Sequence, residues 1–518
     1  MRMGIRIARS SSVPGRTRPV FVVLGVAIGL VLAGVVVPLA VGHDDGTRVN
    51  AAASTGSQPG GPAASTQAGS ADAPGSAGST DAGQAAGGGT AGAASGTSSG
   101  SASSASAAGA SSTASNAPVT SAAAATNAEP IKVGVLLLNI GNISAVGFGG
   151  GPGLSPAEQQ TVWDAYINDT NKAGGINGRP IKPTYQTYDP LSDDDMRSAC
   201  LALTEDAKSF VVVDAGGFIG PPVLCVSEEH KTPFILTASS GVPQEYYGRS
   251  NGRLFTIFMG ADRAMHNLVN ELARLGVTKA NKIGILADYH DDTKETPDIL
   301  QKYLEQAGYN VAYRNDLSGD LHTGSSQMPV EVSQMRSHGV DTIVNIANAV
   351  YIAEFVQGAD AQQYHPKYVS GDWQGGSTNF YFQNMPASFD GSPVITTTRV
   401  DESKVNLPEA PVDAACIKRA AAALNTTVDR DSDAYGTYVR ICAVHSLLVR
   451  GLQGASGQLT VDNFSAQMQQ LGPVTLAGFG GGALSPGRFD ATNAIRTVVW
   501  RASCKCLMPV DDFRPTAF

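Results

Sequence analysis

The segment from Ile131 to Glu158 reads IKVGVLLLNIGNISAVGFGGGPGLSPAE, and its order of elements sets the fold class. The apolar run IKVGVLLLN predicts a β-strand. Ser155, Pro156 and Glu158 form a capping box with proline at the first helical position, so a helix is expected to begin there. The loop between them leaves the carboxyl end of a strand and enters a helix, which is where open α/β sheets bind ligands.

The loop core GFGGGPGLSP is compatible with a phosphate cradle, a flexible turn or the wall of a cleft for another ligand. A P-loop requires Gly-Lys-Ser/Thr at the helix start, whereas this loop has Gly-Leu-Ser-Pro. The dinucleotide pattern fails because Pro152 stands where its third glycine belongs. We therefore expect the loop to line a cleft, with Phe148 and Gly149 touching a ligand other than phosphate. The similar GFGGGALSP at 478–486 is followed by strand-like alternation, which indicates shared turn chemistry rather than a repeat.

Beyond this loop, short β-rich runs alternate with amphipathic helical stretches such as RAMHNLVNELARLG and PDILQKYLEQAG. This alternation predicts parallel sheets covered by helices on both faces. About four such units precede Phe258 and about three more precede Trp373, so we expect two α/β lobes. The predicted strands are Lys132–Leu138, Phe210–Asp214, Phe234–Thr237, Leu254–Phe258, Lys282–Ala287, Thr342–Ile346, Tyr368–Ser370 and Val394–Thr398.

The N-terminal sequence predicts that the protein is exported from the cytosol. Residues 1–19 form a basic tail, and residues 20–42 are an uncharged apolar run long enough for a membrane-spanning helix. Because five arginines precede the run, the tail is expected in the cytosol and the rest of the chain outside. AVG at 40–42 resembles a signal-peptidase site, so the run is either a membrane anchor or a cleaved signal peptide, in which case the protein is secreted.

Residues 43–128 are predicted to be a disordered linker, since Ala, Gly, Ser and Thr dominate and large apolar side chains are nearly absent. Residues 129–518 are long enough for the two lobes. We expect lobe 1 at about 129–258 and 377–472, and lobe 2 at about 259–376 and 473–518.

The net charge and the cysteine content limit the range of partners and indicate disulfide bonds. The net charge of the whole chain is −9, and the exported part is more acidic still, which argues against nucleic acid as a partner. All six cysteines lie in the exported part, and an even number in an oxidising compartment predicts disulfides. Proximity favours Cys200–Cys225 and Cys416–Cys442. Cys504 and Cys506 are either a close pair or two free thiols, and without a nearby histidine they do not make a zinc site.

Several motifs occur in the order found in one known family: NKAGGINGRPIKPTYQTYD (171–189), PFILTASSG (233–241), LFTIFMG (254–260), KIGILADY (282–289) and YVSGDWQGG (368–376). From Pro130 to about Val510 the chain resembles type I periplasmic binding proteins, and more narrowly the branched-chain amino-acid (Leu/Ile/Val-type) receptors of ABC importers. The resemblance implies two doubly wound lobes joined by a three-segment hinge. It also implies a small-molecule ligand enclosed between the lobes, an ABC permease as partner, and no cofactor, metal or catalytic residues.

The resemblance also suggests ligand contacts. The loop after the fourth strand would bind a ligand carboxylate, and an aromatic residue and an acid would come from the second lobe, the acid pairing with a ligand ammonium. Ordinary capping or packing roles are the alternative for each of these residues. The positions that match are Ala238, Ser239 and Ser240 in the loop, and Tyr289, Asp372 and Trp373 in the second lobe.

One loop departs from the family. The loop after the third strand usually carries serines, but AGGFIGPP at 215–222 contains no hydroxyl. Contact there would come from backbone N–H groups, near Gly217, or from Phe218. This departure favours a bulkier or more apolar ligand than an α-amino acid.

Three functions are consistent with these patterns. The first is a membrane-tethered solute receptor for an ABC importer. The second is a ligand-sensing or scaffolding protein of the cell envelope with the same fold. The third is an envelope enzyme, against which the sequence lacks H-E-x-x-H and G-x-S-x-G motifs.

Overall fold

In the computed structural model, the described residues between 129 and 516 form two α/β lobes, each built on its own sheet. The apolar run at 20–42, the linker at 43–128 and most of the glycine-rich loop, including Phe148 and Gly149, lie outside the described residues. No helix in the described part of the chain combines the length and apolar composition needed to cross a membrane. The structure describes residues 129–139, 154–190, 192–238, 241–289, 294–319, 321–373, 379–400 and 402–516.

The first sheet is entirely parallel, with strand order β2-β1-β3-β4-β5. The chain passes from β1 to the edge strand β2 and then crosses to β3 on the other side of β1, so the strand order reverses between β1 and β3. The carboxyl ends of these two strands are therefore the expected ligand crevice of this lobe. The strands are β1 (Ile131–Leu138), β2 (Ile181–Tyr188), β3 (Val211–Asp214), β4 (Phe234–Leu236) and β5 (Leu254–Thr256).

The second sheet repeats this order with β7-β6-β8-β9-β10 and continues through the antiparallel strands β13 and β14, with β15 paired to β13. Its strand order reverses between β6 and β8. The strands are β6 (Lys282–Tyr289), β7 (Asn310–Ser318), β8 (Thr342–Asn345), β9 (Lys367–Gly371), β10 (Pro393–Thr396), β13 (Ala494–Arg501), β14 (Cys506–Pro509) and β15 (Arg514–Pro515), while β11 (Gly472–Val474) and β12 (Gly482–Leu484) form a separate hairpin.

Helices cover the sheets and begin where capping residues predict. Ser155 accepts from the Glu158 N–H, and the Glu158 carboxylate accepts from the Ser155 N–H at 2.8 Å, so the predicted capping box is confirmed. The helices are α1 (Pro156–Lys172), α2 (Asp193–Leu201), α3 (Pro222–Leu224), α4 (Gln244–Arg249), α5 (Ala261–Glu271), α6 (Thr296–Gln306), α7 (Leu321–Ser337), α8 (Ala349–Ala361), α9 (Asn379–Phe382), α10 (Pro411–Leu424), α11 (Asp433–Gly454) and α12 (Val461–Gln469).

Both sheets are buried on both faces. In β1, Val133 and Val135 pack with α1, α10, α11 and α12, whereas Leu136 faces a second core with α2. In β6, Ile285 packs with α5 and α6, and Leu286 faces α7 and α8. Alternate residues of one strand thus enter different cores, as the doubly wound α/β prediction requires.

The chain passes between the lobes three times: from β5 to α5, from β10 to α10, and from β12 to β13. The first and third segments are hydrogen-bonded to each other, since the Thr492 N–H donates to the Ile257 carbonyl at 2.9 Å. The second segment is bonded to the loop between β11 and β12, where the Gly480 N–H donates to the Thr397 carbonyl at 2.9 Å. A buried ion pair of 2.6 Å joins Arg263 to Asp490 across the first and third segments.

The lobe bounds differ from those expected. A boundary near residue 377 would assign β10 to the first lobe, but β10 pairs with β9 and β13, and its Val394 packs in the second-lobe core. Conversely, β11 and β12 pack in the first-lobe core through Val474 and Leu484. We therefore place the second crossing after β10 and the third after β12. Sequence pattern identified β10 as a strand but not its partners, because long-range contacts choose the sheet that a strand joins.

All six cysteines are paired. Cys200–Cys225 and Cys416–Cys442 form as predicted, the first within the α2–α3 side of lobe 1 and the second between α10 and α11. Of the two alternatives for the last pair, the close Cys504–Cys506 bond is present. No free cysteine is left for a metal.

Candidate ligand cleft

Asp214 organises the first-lobe wall of the cleft. It ends β3, is fully buried, and accepts hydrogen bonds from the Tyr188 hydroxyl at 2.8 Å and the Gly216 N–H at 3.0 Å. The Tyr188 oxygen in turn accepts from the Gly217 N–H at 2.8 Å. A longer bond of 3.5 Å runs from the Phe218 N–H to Asp214. The three N–H groups considered for ligand binding are thus used inside the protein.

Burial raises the pKa of the Asp214 carboxyl to about 6, against the hydrogen bonds that favour its ionised form. Tyr188 and Asp214 were not among the expected site residues. Their positions at the ends of neighbouring strands, beside the reversal of strand order, are the signal that would have identified them.

The predicted residues Gly217 and Phe218 lie differently with respect to the cleft. The Phe218 ring is fully buried and makes edge-to-face contacts with Tyr188 and Phe234. A Cβ on Gly217 would meet no atom within 4 Å, so this backbone borders open space. Phe218 and Ala238 also line a small apolar pocket, together with Val223, Val242 and Tyr246.

The loop after β4 is tied to the loop after β3. Thr237, fully buried, donates its hydroxyl to the Gly216 carbonyl at 2.7 Å. Ala238 follows with φ +52°, a left-handed conformation that costs an alanine about 1 kcal/mol. Ser239 and Ser240 lie outside the described residues. The predicted carboxylate-binding loop is therefore described at its two ends only.

In the second lobe, Asp372 and Trp373 follow β9. One carboxylate oxygen of Asp372 accepts from the Thr397 N–H at 2.5 Å and from the Thr397 hydroxyl, which ties the end of β9 to the segment after β10. Trp373 is 6% exposed and reaches across the cleft to Gly241 of the first lobe. The two predicted residues thus lie together, with the acid engaged in a capping role.

Tyr289, predicted to supply an aromatic ligand contact, is the last residue of β6, beside the reversal of strand order. Its side chain is accessible, since the residue is 46% exposed. Its neighbour Asp288 is buried and accepts from the Asn348 side-chain amide at 2.7 Å. Asn348 also caps α8 by accepting from the N–H groups of Val350 and Tyr351. Asp288 and Asn348, which were not predicted, are the second-lobe counterpart of the Asp214 network.

A narrow pocket lies where the lobes meet beside the crossings. Its lining is mainly apolar, and Asp372 is the charged side chain among its described lining residues. Gly241 lines both this pocket and the smaller first-lobe pocket. Its apolar lining includes Phe258, Met259, Met265, Leu268, Trp373 and Ile395.

The outer part of the interlobe space is charged. Lys294 and Glu295 of the second lobe face first-lobe residues across a wider pocket of about 1250 Å³. Exposed ion pairs such as Arg197–Glu229, at 2.8 Å, lie along it. Among the described residues, the charged pocket and the apolar pocket share no lining residue.

A metal site has little support among the described residues. The one group of potential ligands brought together is Cys200, Cys225 and His230. The two sulfurs are joined in a disulfide, so thiolates are not available to a metal.

The fold and cleft define a class of protein, and the sequence agrees with it. The profile of the periplasmic binding protein family matches residues 130–505, and the chain belongs to that family. Its members are binding proteins rather than enzymes.

Solved structures of similar proteins support the same fold. A branched-chain amino-acid ABC transporter protein from Thermus thermophilus, with bound valine, is 11% identical with a TM-score of 0.56 and covers 75% of this chain and 98% of its own. A solute-binding protein of an ABC transporter from R. palustris, in complex with 4-hydroxybenzoate, is 14% identical with a TM-score of 0.55 and covers 75% and 97%. A fatty acid ABC transporter substrate-binding protein from Thermomonospora curvata is 14% identical with a TM-score of 0.54 and covers 76% and 94%. At these identities the likeness concerns the fold alone.

Proposed function

We propose that this protein is an extracytoplasmic receptor that captures a small solute between its lobes and delivers it to an ABC importer. The observation that carries the proposal is the interlobe crevice. The loops that follow β3 and β6 line one pocket between the lobes, and the loops that follow β4 and β9 line another beside the crossings. Interlobe clefts of this kind are favoured ligand sites, and rotation about the crossings would enclose a solute.

The ligand is a mainly apolar molecule with few hydrogen-bonding groups. The inner pocket is lined by Met259, Met265 and Trp373, and no lysine or arginine is among its described lining residues. The N–H groups after β3 already bind Asp214 and Tyr188, which removes donors for an α-carboxylate. The similar proteins hold ligands as different as valine and 4-hydroxybenzoate, so the fold accommodates this range.

The proposed receptor keeps the ligand contacts that the sequence predicts. Trp373 forms the inner wall, Gly217 and Tyr289 border the open cleft, and Ala238 and Phe218 shape the first-lobe side. Ser239 and Ser240 supply hydroxyls, and Asp372 orients the segment after β10 and meets a polar group of the solute. Phe148 and Gly149, which lie outside the described residues, are expected from the sequence to line the cleft.

The N-terminal segments fit a tethered receptor. Residues 20–42 would anchor the protein in the membrane, with the basic tail in the cytosol. The linker at 43–128 would let the lobes reach a permease while staying attached, since a flexible chain of this length spans roughly 50 Å. If the run is cleaved instead, the receptor is secreted.

A ligand screen on the full chain in detergent tests the proposal. Intrinsic tryptophan fluorescence would follow thermal unfolding with amino acids, aromatic acids, aliphatic acids, sugars and polyamines. A ligand at 100 times its Kd adds about 2.7 kcal/mol to stability, which raises Tm by several degrees. We expect the compounds with the largest apolar surface to give the largest shift, and Trp373→Ala to reduce it. A folded protein with no shift across the panel would overturn the receptor function in favour of scaffolding.

A further inference from the structure

One disulfide differs from the others in its exposure. Cys504 lies exposed in the turn of 502–505 between β13 and β14, whereas Cys506, the first residue of β14, is fully buried. Cys200 and Cys225 are both fully buried. An attacking thiolate can therefore reach the Cys504 sulfur from solvent, while the Cys200–Cys225 bond is closed to it.

The β13–β14 hairpin has supports that do not depend on this bond. Trp500 and Leu507 are paired in the ladder, and both pack in the second-lobe core. The Asp390 carboxylate accepts from the Ala502 N–H at 2.7 Å. The Asn379 side chain accepts from the Leu507 N–H, also at 2.7 Å. Opening the bond thus leaves the hairpin in place, so reduction requires no local unfolding.

The ring that the bond closes is also small. A single residue, Lys505, separates the two cysteines, whereas the other bonds span sequence separations of 25 and 26. Because the conformational entropy that a disulfide removes from the unfolded chain grows with loop length, the shortest loop adds the least to stability. The folded state therefore favours this disulfide over its reduced form less strongly than it favours the other two disulfides.

The charge around the turn favours an approaching anion. Lys505 is exposed and stands between the cysteines, and Arg501 ends β13 beside them. Asp390 partly balances these cations through an exposed contact of 3.6 Å with Arg501. Exposed cations near Cys504 attract an incoming thiolate.

We propose that Cys504 is a site of reversible thiol–disulfide exchange with small thiols outside the cell membrane, a property separate from solute capture. A thiolate attacks the Cys504 sulfur and forms a mixed disulfide, the Cys504–Cys506 bond breaks, and the electron pair leaves on the Cys506 sulfur, which takes a proton from water. Attack by Cys506 on the mixed disulfide restores the original bond and releases the thiolate. Attack by a second small thiolate instead yields the oxidised small disulfide and leaves both cysteines reduced.

Differential alkylation of the wild-type full chain tests this site. The protein would be equilibrated in glutathione buffers of increasing reducing strength, alkylated and examined by peptide mass spectrometry. We expect the peptide with Cys504 and Cys506 to become labelled at a ratio roughly tenfold less reducing than the peptides with the other four cysteines. Labelling of all cysteines together, or of this peptide last, would overturn the proposal.

Two matched variants identify the reacting sulfur. With Cys506→Ser, oxidised glutathione should add one glutathione to Cys504, because no neighbouring thiol can displace it. With Cys504→Ser, the buried Cys506 should stay unmodified over the same time. Equal modification of the two variants would contradict the assignment of Cys504, and the wild-type labelling decides the matter if either variant fails to fold.

Discussion

The indole of Trp373, from the second lobe, lies directly on Gly241 of the first. A Cβ built on Gly241 would stand 2.6 Å from the indole Cζ3, closer than any real contact, and Gly241 has φ +70°. This glycine is therefore required by both its backbone conformation and its neighbour. The contact is where the two lobes meet at the inner end of the cleft, and it gives the first prediction.

Gly241→Ala should destabilise the protein by about 1–3 kcal/mol, because a left-handed alanine and a displaced indole both cost free energy. Trp373→Ala should cost about 3–5 kcal/mol, as for other buried aromatic truncations. Urea unfolding would measure both. The double variant should be less destabilised than the sum of the two, since the clash disappears with the indole. Strict additivity would mean that the contact does not form.

The hydrogen bonds around Asp214 predict that removing the Tyr188 hydroxyl lowers the stability of the protein. Tyr188→Phe leaves the Gly217 N–H without its acceptor and Asp214 without one donor. We expect about 1–3 kcal/mol of destabilisation by chemical denaturation. Tyr185→Phe is a suitable control, because its hydroxyl bonds to Asp164 at the partly exposed side of the same strand. An equal effect of the two substitutions would contradict a special role for the network.

Asp214 is also expected to make the stability of the protein depend on pH. Its pKa is raised by burial to about 6, above the model-peptide value of 3.8. The native state therefore holds the proton more tightly, and this contribution to stability is complete below pH 3.8 and is lost as pH rises to 6. Relative to Asp214→Asn, the wild-type protein should gain up to about 1.4 kcal/mol per pH unit on acidification across that window. A pH-independent difference would show that Asp214 titrates normally.

His445 is expected to give the stability the opposite dependence on pH. It lies in α11 against the rings of Tyr166 and Trp163, and burial lowers its pKa from 6.5 to about 4. Stability from this group is present above pH 6.5 and is lost as pH falls towards 4, because the unfolded chain takes up the proton first. His445→Gln should remove that part of the acid sensitivity. Unfolding series at pH 7 and pH 4.5 would test it, and an unchanged acid sensitivity in the variant would exclude His445 as its source.

The C-terminal segment should stabilise the crossings. Phe513 packs where a Cβ on Gly480 would be, and the Arg496 guanidinium lies 4.5 Å from its ring centroid. β15 pairs with the start of β13, the strand that follows the third crossing. Phe513→Ala should cost about 2–3 kcal/mol, below the fully buried range because the ring is half-buried. Phe513→Leu is the control that keeps most of the volume, and it should recover much of the loss in thermal unfolding.

Much of the fold was predictable because its signals are local. Each predicted strand, from Lys132–Leu138 to Val394–Thr398, overlaps an observed one, and the Ser155–Glu158 capping box is present. Strands β2 and β7 are absent from the predicted set, because both are edge strands with many half-buried residues and no continuous apolar run. The pairs Cys200–Cys225 and Cys416–Cys442 followed from proximity in sequence, since the intervening loops are short.

By itself, the sequence determined the fold class, the two-lobe architecture and the two longer-range disulfides, because apolar periodicity, caps and cysteine spacing act between neighbours. Only the tertiary structure decided that β10 joins the second sheet, that Asp214 and Tyr188 consume the N–H groups after β3, and that Trp373 meets Gly241. Each of these depends on residues brought together from distant parts of the chain. Such contacts depend on the packing and burial of the whole domain, and a short stretch of sequence does not contain that information.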